Sequence, residues 1–238
     1  MPRYLRIGST GPLVSQVQAA LNQRLLPSPR LAVTGVYDGH TAAAVRRFQQ
    51  QVWLEVDGLA GDCTQNALFD REGPAPVLHN VPYLTQPTPT TCWAASAAML
   101  KNTTVMAIQL STPQNLLNTS GALLNSSEAG ANHQAHRAFG RIHGLTFHRP
   151  MSWLTSAICA LVDAGPVMMQ CLWNLGTFAA GSGSSGHWVV LVGVRGNRDE
   201  AGRETTFRVY DPLNGIYSAN YFAMLRRYPL ATFALFTR

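Results

Sequence analysis

HWVVLVGVRGNRDEAGRETTFRVYD, residues 187–211, holds two short apolar runs on either side of a charged, glycine-containing segment. That is the pattern of two strands joined by a hairpin. With the turn centred near Asp199, counting places His187 directly opposite Asp211. Directly opposed residues point to the same face, so the carboxylate is placed to orient the imidazole and stabilise its protonated form. PVMMQCLW (166–173) and TFALF (232–236) read as further strands. Upstream, TCWAASAAMLKN reads as a helix, with short helices expected around 112–124 and 127–141. SWLTSAICALVDAG is an amphipathic helix stopped by Gly165 and Pro166. Helices first and strands last predict an α+β domain with a mostly antiparallel sheet.

A paired histidine and aspartate need a nucleophile, and QPTPTTCWAAS (86–96) supplies a candidate. A thiol attacks only as thiolate, an anion favoured by the free N–H groups and dipole of a helix N-terminus. Cys92 stands there, with Thr90 or Thr91 available as cap and Pro87 and Pro89 fixing the approach. Gln86, across the turn, can join the Cys92 backbone N–H as an oxyanion donor. Taken alone, a cysteine before an apolar helix is more often buried packing; Gln86, His187 and Asp211 in this order reverse that balance. Cys63, Cys159 and Cys171 read as structural, and no CxxC or close pair suggests zinc or disulfides. His133 and His136 form an HxxH without a third ligand and read as a solvated helix face. Trp93 and Trp188 read as core or cleft wall. GTFAAGSGSSG (176–186) is either a plain loop or a lid. Nothing calls for a metal or organic cofactor.

The first third is organised differently. TGVYDGHTAAAV (34–45) and DGLAGDCTQNAL (57–68) echo each other at an offset of 23, matching Gly35 with Gly58, Thr41 with Thr64 and Ala44 with Ala67. With helices in PLVSQVQAALNQRLL and HTAAAVRRFQQQVWL, they predict a small three-helix module over residues 1–70. DREGPAPVLHN combines charge with Gly-Pro-Ala-Pro and reads as a linker through residue 80, leaving 81–238 for the second domain.

Two resemblances follow from these residues. LRIGSTGPLVSQVQAALN, TGVYDGHTAAAVRRFQ and LEVDGLAGDCTQNAL together resemble the peptidoglycan-binding domain of bacterial cell-wall hydrolases; a helical spacer or docking unit is the alternative. VPYLTQ, CWAAS, GHWVVLVGV and VYDPLNG resemble papain-like cysteine peptidases, within them the bacterial effector proteases and double-glycine-leader peptidases. That likeness implies Cys92 as nucleophile, His187 as general base and acid, Asp211 as orienting residue and Gln86 as oxyanion donor. Asp in the third position departs from papain's Asn and fits the bacterial branch.

Composition limits the functional classes. The chain has 238 residues, 46% of them apolar, which suits a globular protein with a core. No run reaches the roughly 18–20 apolar residues of a spanning helix. Eighteen basic against twelve acidic residues give +6, which suits a polyanion such as a cell wall. The basic residues are scattered and no nucleic-acid motif accompanies them, so nucleic acid is not an expected partner. The start, MPRYLRIGSTGPLVSQ, lacks the apolar region of a signal peptide. The expectation is therefore a cytoplasmic product exported by a dedicated machine: an endopeptidase or amidase acting on peptidoglycan, as an antibacterial effector with a cognate immunity protein. The competing expectations are a protease acting on a protein target and a binding protein on an inactive scaffold.

Overall fold

A computed structural model of the chain describes residues 4–124, 133–172, 186–221, 224 and 232–238. The N-terminal module is built from helices α1 (Pro12–Arg24), α2 (Gly39–Gln51) and α3 (Asp62–Leu68). They close on a core of their own that includes Val17, Leu21, Tyr37, Val45, Phe48 and Leu68. Its internal echo has a structural cause. Gln18, 1% exposed, accepts from Gly35 N and donates to Val36 O and Thr41 Oγ1. Gln49, also 1% exposed, repeats this on Gly58 N, Leu59 O and Thr64 Oγ1. Each glutamine satisfies a turn whose glycine lies at positive φ, 71° and 78°, where a Cβ is disfavoured.

The stretch read as a linker is pinned along its length. Strand β1 (Val77–Leu78) pairs with β4 (Gly186–Gly196). Gly73 N donates to Asn197 Oδ1 and His79 N to Val192 O, while Arg195 of β4 makes a two-pronged pair with Glu72. The same guanidinium donates to Val52 O and lies 5.1 Å from the centre of the Trp53 ring. With only 7% of its side chain exposed, Arg195 couples the module to the sheet through a largely desolvated ion pair.

The second domain contains α4 (Cys92–Lys101), α5 (Val105–Ser111), a 3₁₀ turn at Gln114–Leu116, α6 (Gln134–His143), β2 (Thr146–Ser152) and α7 (Thr155–Ala164). β3 (Val167–Leu172), β4, β5 (Thr205–Asp211), β6 (Gly215–Asn220) and β7 (Thr232–Thr237) follow. Every described pairing is antiparallel, in the order β2-β7-β3-β4-β5-β6, with β1 on β4. The α+β architecture is the expected one, with β1, β2 and β6 added to the anticipated strands. Central strand β4 is buried on both faces. Trp188, Val190 and Val192 pack with Ala94, Ala97 and Ala98 of α4. Val189, Leu191 and Val194 pack with Ile158, Cys159 and Val162 of α7.

The hairpin differs from the expected register. Gly196 lies opposite Thr205, so the turn is centred between Glu200 and Ala201 rather than near Asp199. Carried on unchanged, that register would set Asp211 opposite Val190, on the face away from His187. A bulge intervenes: Leu191 lies opposite Val209 but Gly193 opposite Arg208, leaving Val192 as the extra residue. One inserted residue exchanges the faces of everything beyond it. Asp211 then falls level with Val189, two residues from His187 on the same face. The pair is diagonal rather than directly opposed, within reach of a hydrogen bond between side chains.

Candidate active site

Three elements bring the site together: the N-terminus of α4, the start of β4 and the end of β5. Cys92, His187 and Asp211 are 5%, 4% and 0% exposed. His187 Nε2 lies 2.8 Å from Asp211 Oδ1, and the Cys92 side chain is a second hydrogen-bonding partner of the imidazole. With Nε2 held by the carboxylate, Nδ1 is the nitrogen left to exchange a proton with the thiol. Burial works to lower the His187 pKa. The hydrogen bond to Asp211 and then the interactions with Cys92 outweigh it, raising the value from 6.5 to about 9. Burial likewise works to raise the Asp211 pKa, and hydrogen bonds from His187 and Asn214 prevail, holding it well below the usual carboxylate range. At neutral pH His187 is therefore held as the imidazolium, beside the Asp211 carboxylate and within reach of Cys92.

The carboxylate is clamped on both oxygens. Oδ1 also accepts from Leu213 N at 2.9 Å and Asn214 N at 3.1 Å, and Oδ2 accepts from Asn214 Nδ2 at 2.8 Å. These donors belong to the turn into β6, so the tight DPLNG connection aims Asp211 as well as joining strands.

The Cys92 end of α4 is left open. Thr91 occupies the cap position, but its hydroxyl turns back to Thr88 O at 3.0 Å, and Thr90 Oγ1 donates to Ser120 O at 2.9 Å. Neither threonine side chain caps the helix, contrary to expectation. The backbone N–H groups of Cys92 and Trp93 precede the first N–H donated within the helix, Ala94 N to Thr91 O at 3.1 Å, so the open end retains donors that an anion can use. One turn on, Ser96 Oγ donates to Trp188 O at 3.1 Å, tying the nucleophile's helix to the residue after His187.

Gln86 sits on the approach to that helix. Its backbone N donates to Pro212 O at 3.0 Å, and Tyr83 Oη donates to Asp211 O at 2.9 Å, so this segment is fixed to the aspartate's own turn. The Gln86 Nε2 donates to Thr88 O at 2.9 Å, while Oε1 is buried without a hydrogen-bond partner. A primary amide carries two N–H donors, and the second is free of the Thr88 contact.

Asn214, Ser96 and Tyr83 went unnoticed in the sequence. Asn214 alone left a signal, as the Asn-Gly after Asp-Pro. Cys159 and Cys171 are buried in the sheet's second core, in keeping with packing roles. Cys63 is half-buried, its Sγ 3.2 Å from Arg203 O where the module meets the sheet. His136 corrects the solvated-face reading of the HxxH. It is 0% exposed, enclosed by Phe147, Trp188 and Phe236, with neither ring nitrogen hydrogen-bonded, and burial lowers its pKa from 6.5 to about 4. The loop at 176–185 lies outside the described residues.

A buried Cys–His–Asp set at the junction of a helix N-terminus and an antiparallel sheet defines a papain-like cysteine hydrolase. Residues 77–226 match the family described as papain-like cysteine protease AvrRpt2, and residues 10–68 match a putative peptidoglycan binding domain. The first match spans more than half of the chain, which therefore belongs to the papain-like cysteine proteases of the AvrRpt2 family. Among solved structures, the chain is similar to a C39-like peptidase from Bacillus anthracis at 14% identity and TM-score 0.43, covering 69% of this chain and 98% of that one. A double glycine motif protease from an AMS/PCAT transporter, solved with its leader peptide, matches at 18% identity and TM-score 0.40, with the same coverages. The N-terminal domain of SleB matches at 32% identity and TM-score 0.27, covering 29% of this chain and 92% of that one. No curated protein matches.

Proposed function

We propose that the protein is a peptidoglycan-directed amide hydrolase in which Cys92, His187, Asp211 and Gln86 carry the chemistry. The carrying observation is the buried Cys92–His187–Asp211 set in one chain with a match to a putative peptidoglycan binding domain. The Cys92 thiolate attacks the carbonyl carbon of a stem-peptide or cross-link amide. The oxyanion is held by the Cys92 N–H and the free Gln86 Nε2–H. His187 passes its Nδ1 proton to the leaving amine as the C–N bond breaks, leaving a thioester. Water, deprotonated by the same nitrogen, then releases the carboxylic acid and regenerates the thiolate. Asp211 keeps the ring in place throughout and offsets its charge.

Anchoring suits an immobile polymer, since a weakly binding module holds a modest active site at high effective concentration. Export to a rival's wall, with an immunity protein guarding the producer, completes the proposal. The family's own description as a protease supports a protein target as the second reading.

Digestion of purified sacculi, followed by mass spectrometry of the released fragments, separates the two. New amine and carboxyl ends at one stem-peptide bond, absent with Cys92→Ala, are expected. Intact sacculi alongside a cleaved peptide library favour the protein target, and identical behaviour of wild type and Cys92→Ala everywhere refutes catalysis by this thiol. Expression directed to the periplasm should lyse cells through the wild type and not through Cys92→Ala. Harmless periplasmic wild type removes the effector role.

A further inference from the structure

The helical module carries one groove twice. The first, of about 500 Å³, opens beside the start of α2, and the second, of about 520 Å³, beside the start of α3. Their linings correspond at the offset of the internal echo: Leu31 with Leu54, Thr34 with Asp57, Asp38 with Gly61, His40 with Cys63 and Thr41 with Thr64. The backbone repeats as well, since Arg30 and Trp53, the residues before the matched leucines, have φ of 53° and 45°.

The second groove is already met by a chain. Residues of the β4–β5 hairpin form its other wall. Cys63 Sγ donates to Arg203 O at 3.2 Å, and Asn66 Nδ2 donates to Glu204 Oε2 at 3.2 Å. A main-chain carbonyl and, one residue on, a carboxylate thus rest on positions 63 and 66. The matching positions of the first groove, His40 and Ala43, both line it and are exposed.

The two copies differ in charge. Where the second has Glu55, Asp57 and Asp62, the first has Ala32, Thr34 and Gly39, and Arg47 stands in place of Asp70. The first groove therefore sets Arg30 and Arg47 against Asp38 alone. That carboxylate is engaged in capping α2, accepting from Thr41 N at 2.8 Å and Thr41 Oγ1 at 2.7 Å. Among the described residues neither arginine is in an ion pair. Arg47 is half-buried one helical turn beyond Ala43, on the same side of α2. One arm of its guanidinium donates to Pro27 O at 2.6 Å, and the fork has further donors that suit a carboxylate. The acidic second groove repels an incoming anion that the first attracts.

We propose that the first groove is the module's own ligand site and takes a carboxylate-bearing peptide, as its twin takes Arg203 and Glu204 of the catalytic domain. Arg47 receives the carboxylate and His40 the neighbouring main-chain carbonyl. The second groove is committed to holding the catalytic domain, so the module binds one peptide rather than two. The occupant is the stem peptide of the wall polymer and not its glycan, an identification that rests on the peptidoglycan reading above.

The test titrates isotope-labelled, full-length Cys92→Ala protein separately with free stem peptides and with peptide-free glycan strands, both released from sacculi by an amidase. Stem peptides should shift the amide signals of Thr34, His40 and Ala43 and leave those of Cys63 and Asn66 in place. Arg47→Met should weaken binding by about tenfold or more, and Arg47→Lys by less, as loss of a charge-assisted contact implies. Ala43→Glu, at an exposed helical position that leaves the Pro27 contact alone, should weaken binding at least as much. Unmoved signals of the core residues Val17 and Phe48 verify the fold of each variant. Shifts confined to other surfaces, shifts with glycan strands but not with peptides, wild-type affinity in Ala43→Glu, or equal shifts with sodium acetate alone would overturn the proposal. Failure of the hydrolase reading is separable: sacculi left intact while the groove still binds stem peptide sinks the activity and leaves the site. Digested sacculi without groove binding sinks the site and leaves the activity.

Discussion

Replacing Asp211 by Asn tests how the site is charged. The substitution keeps the shape of the side chain and removes the anion beside His187 Nε2. His187 is raised from 6.5 to about 9, against burial that works to lower it, by Asp211 first and Cys92 second. At about 1.36 kcal/mol per pKa unit, the net stabilisation of the imidazolium is about 3 kcal/mol. Because the folded value is raised, this contribution is fully present below the unfolded pKa of 6.5 and is lost as pH rises through about 9. The alkaline limb of kcat/KM should therefore lie near pH 9 in the wild type. In Asp211→Asn it should move down by about one to two units, since Asp211 supplies the larger share of the upward shift. The measurements are a pH–rate profile on a cleaved substrate and an NMR titration of the His187 ring. If the limb and the ring titration stay within about 0.3 units of the wild type, the carboxylate does not set the charge of the histidine and the reasoning fails.

Three further outcomes follow from the same geometry. Asn214→Ala removes the amide on Asp211 Oδ2; kcat/KM should fall about tenfold and the alkaline limb should shift in the same direction as Asp211→Asn but less, whereas an unmoved limb would mark Asn214 as structural only. His136, depressed to about 4, stabilises the fold above pH 6.5, and that contribution is lost as pH falls from 6.5 toward 4; unfolding midpoints in denaturant should show about 3 kcal/mol more acid sensitivity in the wild type than in His136→Phe, and equal sensitivity refutes the assignment. A Cβ at Gly193 would meet Val77 O at 2.7 Å and Leu78 Cδ1 at 2.9 Å, so Gly193→Ala should displace β1, lower Tm by several degrees and expose residues 71–79 to proteolysis, an outcome that unchanged Tm and cleavage would exclude.

The α+β class, the helical module and the grouping of Cys92, His187 and Asp211 were legible because each leaves a local mark. Apolar periodicity marks the helices, and the runs of β4 and β5 mark the strands. The register was not legible. Val192 is one valine in an apolar run, and nothing distinguishes the residue that bulges from its neighbours; only the carbonyl of Val77, brought in from more than a hundred residues away, explains why Gly193 follows it. The diagonal approach of Asp211 was hidden for that reason. His136 deceived because polarity suggests solvent, whereas its ring serves as one more aromatic surface beside Trp188 and Phe236. The pinned segment at 71–80 deceived because Gly-Pro-Ala-Pro describes local stiffness and says nothing of Arg195, a partner supplied by the far end of β4.

β4 carries His187 near one end and Arg195 near the other, eight residues and about 25 Å apart on a strand buried on both faces. Such a strand, bulge included, is held in place by the packing on its two faces, so it works as a caliper with one jaw at the thiol and the other at the helical module. If the module grips the wall, every cut falls at a fixed offset from the grip. A tethered enzyme on a slack leash would nick its surroundings at random. This one would space its incisions, and loosening Arg195 would change where the polymer is cut before it changed how fast.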